Sequence, residues 1–162
     1  MYLTVTCYLE QKGQWLMLHR IKKDHDINQG KWIGIGGKLE AGESPEECLL
    51  REVREETGLR LTSFRLRGMV TFNFTGPKAL PGWETEYMYV YTADGWEGEL
   101  TDCPEGETAW VPVEEVPRLN LWPGDRLFLE KIWADEPFFS YKIVYEGDRI
   151  LSCQLDGRPV DL

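Results

Sequence analysis

Apolar and polar residues alternate from Leu3 to Leu9, with Leu3, Val5, Cys7 and Leu9 on one side and Thr4, Thr6 and Tyr8 on the other. A period of two predicts a strand. Gln11-Lys12-Gly13 predicts a turn, and Gln14 to Arg20 a strand that pairs back as a hairpin. The threonine row either meets water or lines a pocket. Residues 21–31 are polar and read as a loop, followed by the short apolar and glycine stretch Trp32 to Gly37. Strand patterning returns from Leu61 to Phe74, with Gly68 as a candidate bulge. Thr75 to Gly82 holds two glycines and two prolines and reads as a loop. Glu84 to Ala93 is a long aromatic strand, Asp94 to Gly98 a turn, and the strand pattern resumes over Gly98-Glu99-Leu100. After an acidic turn from Asp102 to Gly106, Thr108 to Val113 is a strand and Val113 to Val116 a helical turn. Leu127, Phe128, Ile132 and Trp133 recur at helical spacing, which predicts a helix on the second face of the sheet. Phe138 to Tyr145 and Arg149 to Gln154 predict a closing hairpin. No repeat or linker interrupts the pattern, so one domain is expected over residues 1–162.

The period changes once more, between Ser44 and Gly58. Ser44 suits an N-cap, Pro45 the first helical position, Glu47 the third, and Gly58 a left-handed stop. A helix is expected from Pro45 to Thr57, with Cys48, Leu49 and Val53 toward the sheet. Glu52, Glu55 and Glu56 then stand at i, i+3 and i+4, within roughly 60° of arc. Like charges so close repel, by a few tenths of a kcal/mol for each pair on an isolated helix. One reading is a solvated acidic face with Arg51 and Arg54 as local partners. The other is a site for a hard divalent cation, which takes several oxygen ligands. The preceding loop supplies Gly34, Gly36, Gly37 and Lys38. Such glycines let backbone approach a ligand closely, and lysine adds a cation. That combination suits a phosphate chain bridged to protein by metal. A Walker-type loop is excluded, because no G-x-x-x-x-G-K-[ST] run is present.

Composition narrows the partners. Lys plus Arg number 18 and Asp plus Glu 28, for a net charge of −10. That disfavours a nucleic-acid polymer or an anionic membrane, while bound cations can still reverse the field around a small phosphate. No apolar run reaches membrane-spanning length and the first ten residues do not read as a signal peptide. Cys7, Cys48, Cys103 and Cys153 lack metal-type spacing, and a cytoplasmic protein with reduced core thiols is expected. His19 and His25 are the only histidines and have no context for a nucleophilic triad or a zinc site. Arg20, Lys22 and Lys23 are candidate phosphate-steering cations.

Gly37, five residues, Glu43, seven residues, then Arg51-Glu52-Val53-Arg54-Glu55-Glu56-Thr57-Gly58-Leu59 resembles the Nudix box at every fixed position. The resemblance implies an α+β Nudix fold, an α/β/α sandwich with a mixed sheet between helices. It also implies Mg²⁺-dependent cleavage, with Mn²⁺ as a substitute, of a nucleoside diphosphate linked to a further group. On matching positions Glu52, Glu55 and Glu56 are the metal ligands or the group that activates water. The carbonyl of Gly36 or Gly37 is a further ligand. Glu105, with Glu107 as its rival, completes the metal site from across the cleft. Glu43 and Arg51 brace the glutamates, and Lys38 and Arg20 bind phosphate.

Outside the box the chain resembles the oxidised-purine nucleoside triphosphate diphosphatases, on Trp32 to Lys38, Thr71 to Phe74, and Leu121 to Asp125. Carried over, Trp122 flanks the purine, Phe72 and Phe74 line the pocket, Asp125 bonds the base edge, and Ile33 takes a further base-facing position. Some members of this branch have an asparagine in place of Ile33 and a second acid in place of Gly124. Both differences remove polar readers of the base, so selectivity for an oxidised guanine stays open. The expected reaction is hydrolysis of a purine nucleoside triphosphate such as 8-oxo-dGTP to monophosphate and pyrophosphate, by a monomer or homodimer. Alternatives are hydrolysis of ADP-ribose or a nucleotide sugar, a non-catalytic nucleotide sensor, and an isoprenoid diphosphate isomerase on the same scaffold.

Overall fold

The computed structural model describes residues 1–22, 26–77 and 79–162. The expectations for Lys23 and His25 lie outside the described residues. The central strand is β1, Tyr2–Gln11. It runs parallel to β6 (Thr85–Glu97) and antiparallel to β4 (Ile35–Lys38). On the other side of β6 come β5 (Arg60–Thr75), β8 (Phe139–Glu146), β9 (Arg149–Leu155) and β10 (Arg158–Val160). The hairpin partner of β1, β2 (Gln14–His19), also pairs with the short β3 (Trp32–Ile33) and with β7 (Glu107–Pro112). Parallel and antiparallel pairs coexist, so the sheet is mixed, as expected.

Helix α1 spans Pro45–Thr57, and α2 spans Asp125–Trp133. The caps of α1 explain its ends. The Ser44 side chain accepts from the Glu47 amide, the Glu47 carboxylate accepts from the Ser44 amide, and Gly58 takes φ 77°. A cap of this kind stabilises a helix by about 1 kcal/mol.

The two faces of β1 go to different cores. Val5, Cys7 and Leu9 pack with Cys48, Leu49 and Val53 of α1. Tyr8 packs into the cluster that holds Phe128, Leu129 and Ile132 of α2 with Val70, Phe72 and Ile143. Burying each such large apolar side chain contributes about 1.5–3 kcal/mol. The threonine row does not meet water: Thr4 and Thr6 are each 8 % exposed.

Three boundaries differ from expectation. β6 does not turn at Asp94 but runs on to Glu97, because β5 supplies bulged pairing for Gly95, Trp96 and Glu97. The short strand expected over Gly98 to Leu100 is absent. β10, too short to show a pattern, pairs with β9 at the sheet edge. The bulge near Gly68 is present, and a Cβ there would run into the Phe139 ring.

Candidate functional site

The loop before α1 and the acidic face of α1 are pressed together. A Cβ on Gly37 would lie 2.5 Å from the Glu52 carboxyl carbon, and one on Gly36 would run into the Val5 carbonyl. Only glycine lets β4 sit flat between β1 and the helix. The Gly36 amide donates to Glu56 Oε2 at 3.2 Å. Glu56 is 6 % exposed. Burial pushes its carboxyl up to about 8, the negative charges of Glu52 and Glu105 push the same way, and the Gly36 amide and Arg20 pull it partly back. Glu52 is also raised, first by burial, with Arg51 opposing. Glu55 points outward and is exposed.

Arg51 ties this end together. Its guanidinium donates to both oxygens of Glu43 at 2.7 and 2.9 Å, to Glu52 at 2.8 Å, to Glu55 at 3.3 Å and to the Lys38 carbonyl at 3.1 Å. The bidentate pair holds the Glu43 carboxyl down at about 2. Arg51 therefore joins helix, loop and turn, while Arg54 stays exposed.

Across the cleft, Glu105 is half-buried in the turn before β7 and pairs with Arg20 at 3.1 Å. Gly106 packs so tightly on the His19 backbone that a Cβ would collide with its carbonyl, which fixes the turn. Glu107, the rival, is exposed on β7. Arg20 also binds Asp26 at 2.7 Å, and Lys22 donates to the Cys103 carbonyl at 2.8 Å. Lys38 is exposed, its ammonium 3.9 Å from the Trp83 ring centre and 5.5 Å from that of Tyr2.

The donors present suit a hard divalent cation. Two buried or half-buried carboxylates raised first by burial and then by neighbouring negative charge, a third opposite them and backbone oxygens of a glycine loop are all oxygen ligands. A cation among them would offset the repulsion. Among the described residues no three His, Cys, Asp or Glu side chains already converge as a cage. Glu52 leans on Arg51 and Glu105 on Arg20 instead.

On the α2 side a second group forms. The Trp122 indole donates to Asn28 Oδ1 at 2.7 Å, and the Lys31 ammonium lies 5.0 Å from the Trp122 ring centre. Tyr145 packs edge-on to Trp122, and Phe72, Phe74 and Tyr145 form one aromatic set. Asp125 opens α2 and is 8 % exposed; burial pushes its carboxyl up to about 7, with Glu86 adding to the rise and Arg126 and Lys31 opposing. Trp122, Asp125, Phe72 and Phe74 are thus brought together. Ile33 does not join them. On β3 the chain alternates, so Trp32 packs toward this aromatic side and Ile33 packs against the α1-side core. Sequence reading missed Glu86, Tyr145, Asn28 and Lys31. Glu86 left one signal, a carboxylate inside an aromatic strand at the same alternation as Met88 and Val90.

The fold agrees with comparison to known proteins. Residues 3–132 match the NUDIX domain. An oxidized purine nucleoside triphosphate hydrolase of Danio rerio is 31 % identical over 136 residues, covering 83 % of each chain. An uncharacterized Nudix hydrolase of Bacillus subtilis is 29 % identical over 157 residues, covering 95 % of this chain and 94 % of the other. The crystal structure of a MutT protein from Bacillus halodurans superposes with a TM-score of 0.84 at 27 % identity, over 98 % of this chain and 100 % of that one. The chain belongs to the Nudix family and is a hydrolase of nucleotide derivatives, a class that generally uses divalent metal ions. No helix among the described residues is long and apolar enough to cross a membrane.

Proposed function

We propose that this protein hydrolyses purine nucleoside triphosphates, oxidised ones such as 8-oxo-dGTP included, to nucleoside monophosphate and pyrophosphate. The observation that carries the reading is the coexistence of two ends in one fold. Glu52 and Glu56 lie against Gly36 and Gly37, and an aromatic set with a buried acid, Trp122, Phe72, Phe74 and Asp125, suits a purine. The likeness to the oxidized purine nucleoside triphosphate hydrolase of Danio rerio supports the same substrate class.

Glu52 and Glu56, with Glu55, Glu105 and the Gly37 carbonyl, would hold Mg²⁺, or Mn²⁺ in its place. When bound, such an ion lowers the pKa of water and neutralises charge on phosphate oxygens. The chain's own groups do the rest. Arg51 and Glu43 fix the helix against the loop, so the carboxylates keep their places. Lys38, exposed on a flexible stem, takes up the phosphate chain more readily than Arg20, which two carboxylates already hold. A proton leaves the attacking water as it approaches an internal phosphorus. Its acceptor is one of Glu55, Glu56 and Glu105. Pairing of β8 with β5 supports one domain over residues 1–162. Four free, buried cysteines support a reducing, cytoplasmic setting.

Steady-state hydrolysis of normal and oxidised purine triphosphates, ADP-ribose and nucleotide sugars, with Mg²⁺ or Mn²⁺ and with products resolved, tests this. Monophosphate plus pyrophosphate from a purine triphosphate is expected. Turnover confined to ADP-ribose or nucleotide sugars, or binding without turnover, would overturn it.

A further inference from the structure

Glu86 is a charged side chain that the reaction above does not use. It stands directly opposite Phe72 in the β5–β6 pair and beside Tyr2 in the β1–β6 pair. Directly paired residues share a face of a sheet. Glu86 therefore lies on the face that carries Thr4, Thr6, Tyr8 and Phe72, the face that α2 covers. Its carboxylate accepts from Thr4 Oγ1 at 2.6 Å and from the Tyr2 hydroxyl at 3.1 Å. A carboxylate offers about four acceptor positions, and these two hydroxyls fill two of them.

Asp125 supplies an independent observation over the same face. It is 8 % exposed, yet no hydrogen bond or ion pair reaches its carboxylate among the described residues. Asp125 opens α2, whose Phe128, Leu129 and Ile132 pack with Tyr8, Phe72 and Tyr145 over this face. Position 124 cannot add a second acid here. A Cβ on Gly124 would lie 2.5 Å from the Tyr145 hydroxyl and 2.9 Å from Ile143 Cδ1. The acidic groups on this face come from two different elements, the start of α2 and the interior of β6.

We infer that Glu86 is a specificity-determining residue, which together with Asp125 reads the hydrogen-bonding edge of a purine seated against Trp122 and Phe72. The ligand class is a base whose edge presents N–H donors, an exocyclic amine or a ring lactam. Bases offering only acceptors toward Glu86 are disfavoured, because its carboxylate oxygens would then face acceptors. This inference rests on the purine-nucleotide reading above.

The test compares the wild-type chain with Glu86→Gln. Dissociation constants are measured by calorimetry for guanosine, inosine, adenosine and 8-oxoguanosine 5′-monophosphates. For the matching triphosphates, kcat and KM are measured with Mg²⁺. The substitution keeps size but replaces one acceptor oxygen by a donor. Preference between bases with and without the exocyclic amine is expected to change by about tenfold or more, carried in Kd and KM more than in kcat. Thr4→Val, which removes one donor that orients Glu86, should move the same ratios in the same direction by less. It keeps the proposal testable if Glu86→Gln does not fold. If Glu86 merely braces Tyr2 and Thr4, melting temperature falls while the base ratios stay within twofold, and that result overturns the proposal. A wild-type chain that discriminates among monophosphates without hydrolysing any triphosphate would defeat the proposed reaction but not this inference. One that hydrolyses every triphosphate and binds all the monophosphates alike would do the reverse.

Discussion

The glutamates of α1 and the aromatic group around Trp122 stand on opposite faces of the same central strand and are held by different kinds of contact. The first set is local. Arg51 grips Glu43 across eight residues, and Glu56 meets the Gly36 amide across 20. The second set is remote. Trp122 meets Asn28 across 94 residues and Thr4 meets Glu86 across 82. The first end is also charge against backbone, with little room for adjustment. The second is ring against ring, with polar atoms placed among them. The contrast separates chemistry from selectivity: substitutions at the first end should strike turnover, and those at the second should strike which nucleotide is turned over.

The sharpest break of that contrast is Glu56→Gln. It keeps volume and removes the ionisable carboxyl, so kcat with Mg²⁺ should fall by about 10²–10⁴-fold while the melting temperature holds or rises. Unchanged Mg²⁺-dependent turnover would remove Glu56 from the reaction.

Next comes a pair of neighbouring glycines. Gly37→Ala pushes against the far end of the flexible Glu52 side chain, so the fold should survive while kcat drops by about 10–100-fold. Gly36→Ala meets the Val5 backbone instead and should lower stability by several kcal/mol. Thermal melts and steady-state rates on both variants separate the two effects. Equal melting temperatures would show that the glycines are not distinguished in this way.

At the other end, Trp122→Ala should raise KM for purine triphosphates by about tenfold, a loss on the order of 1–3 kcal/mol of stacking, and leave kcat less affected. A fall in kcat with KM unchanged would place Trp122 with the chemistry rather than the base.

The last effect is on stability rather than turnover and concerns pH. Asp125 keeps its proton in the folded protein up to about 7, whereas the unfolded chain releases it near 3.8. Between those values the folded state binds more protons, so its contribution is full below about 4 and is lost as pH rises to about 7. The slope amounts to about 1.4 kcal/mol for each unit of the difference. Denaturant unfolding at pH 5 and pH 8 should show this fall, and Asp125→Asn should flatten it. Equal slopes in the two proteins would show that Asp125 is not the group responsible.

Much of the first end was legible in the chain itself. Ser44, Pro45, Glu47 and Gly58 state where α1 begins and ends, because caps act within one turn of the residues they satisfy. Spacing then puts Glu52 and Glu56 on the same side of the helix, and glycines are required wherever backbone must touch carboxylate. The turn misplaced at Asp94 shows the limit of such reading: Gly95 signals a break locally, but β5 is long enough to carry the pairing through it as a bulge. Ile33 shows another limit. Its place in a motif suggested the base, while the alternation of a two-residue strand turned it to the opposite core.

What the sequence determined by itself is the helix, its carboxylates, the glycine loop and the alternating strands, since each depends on neighbours a few residues away. Which strands lie side by side, and so which acid reaches the face that α2 covers, was decided only in three dimensions. Glu86 and Asp125 share a face because β6 pairs with both β1 and β5 and α2 packs across them. No local period carries that information, because it belongs to the order of strands in the sheet and to the packing of two cores on either side of β1.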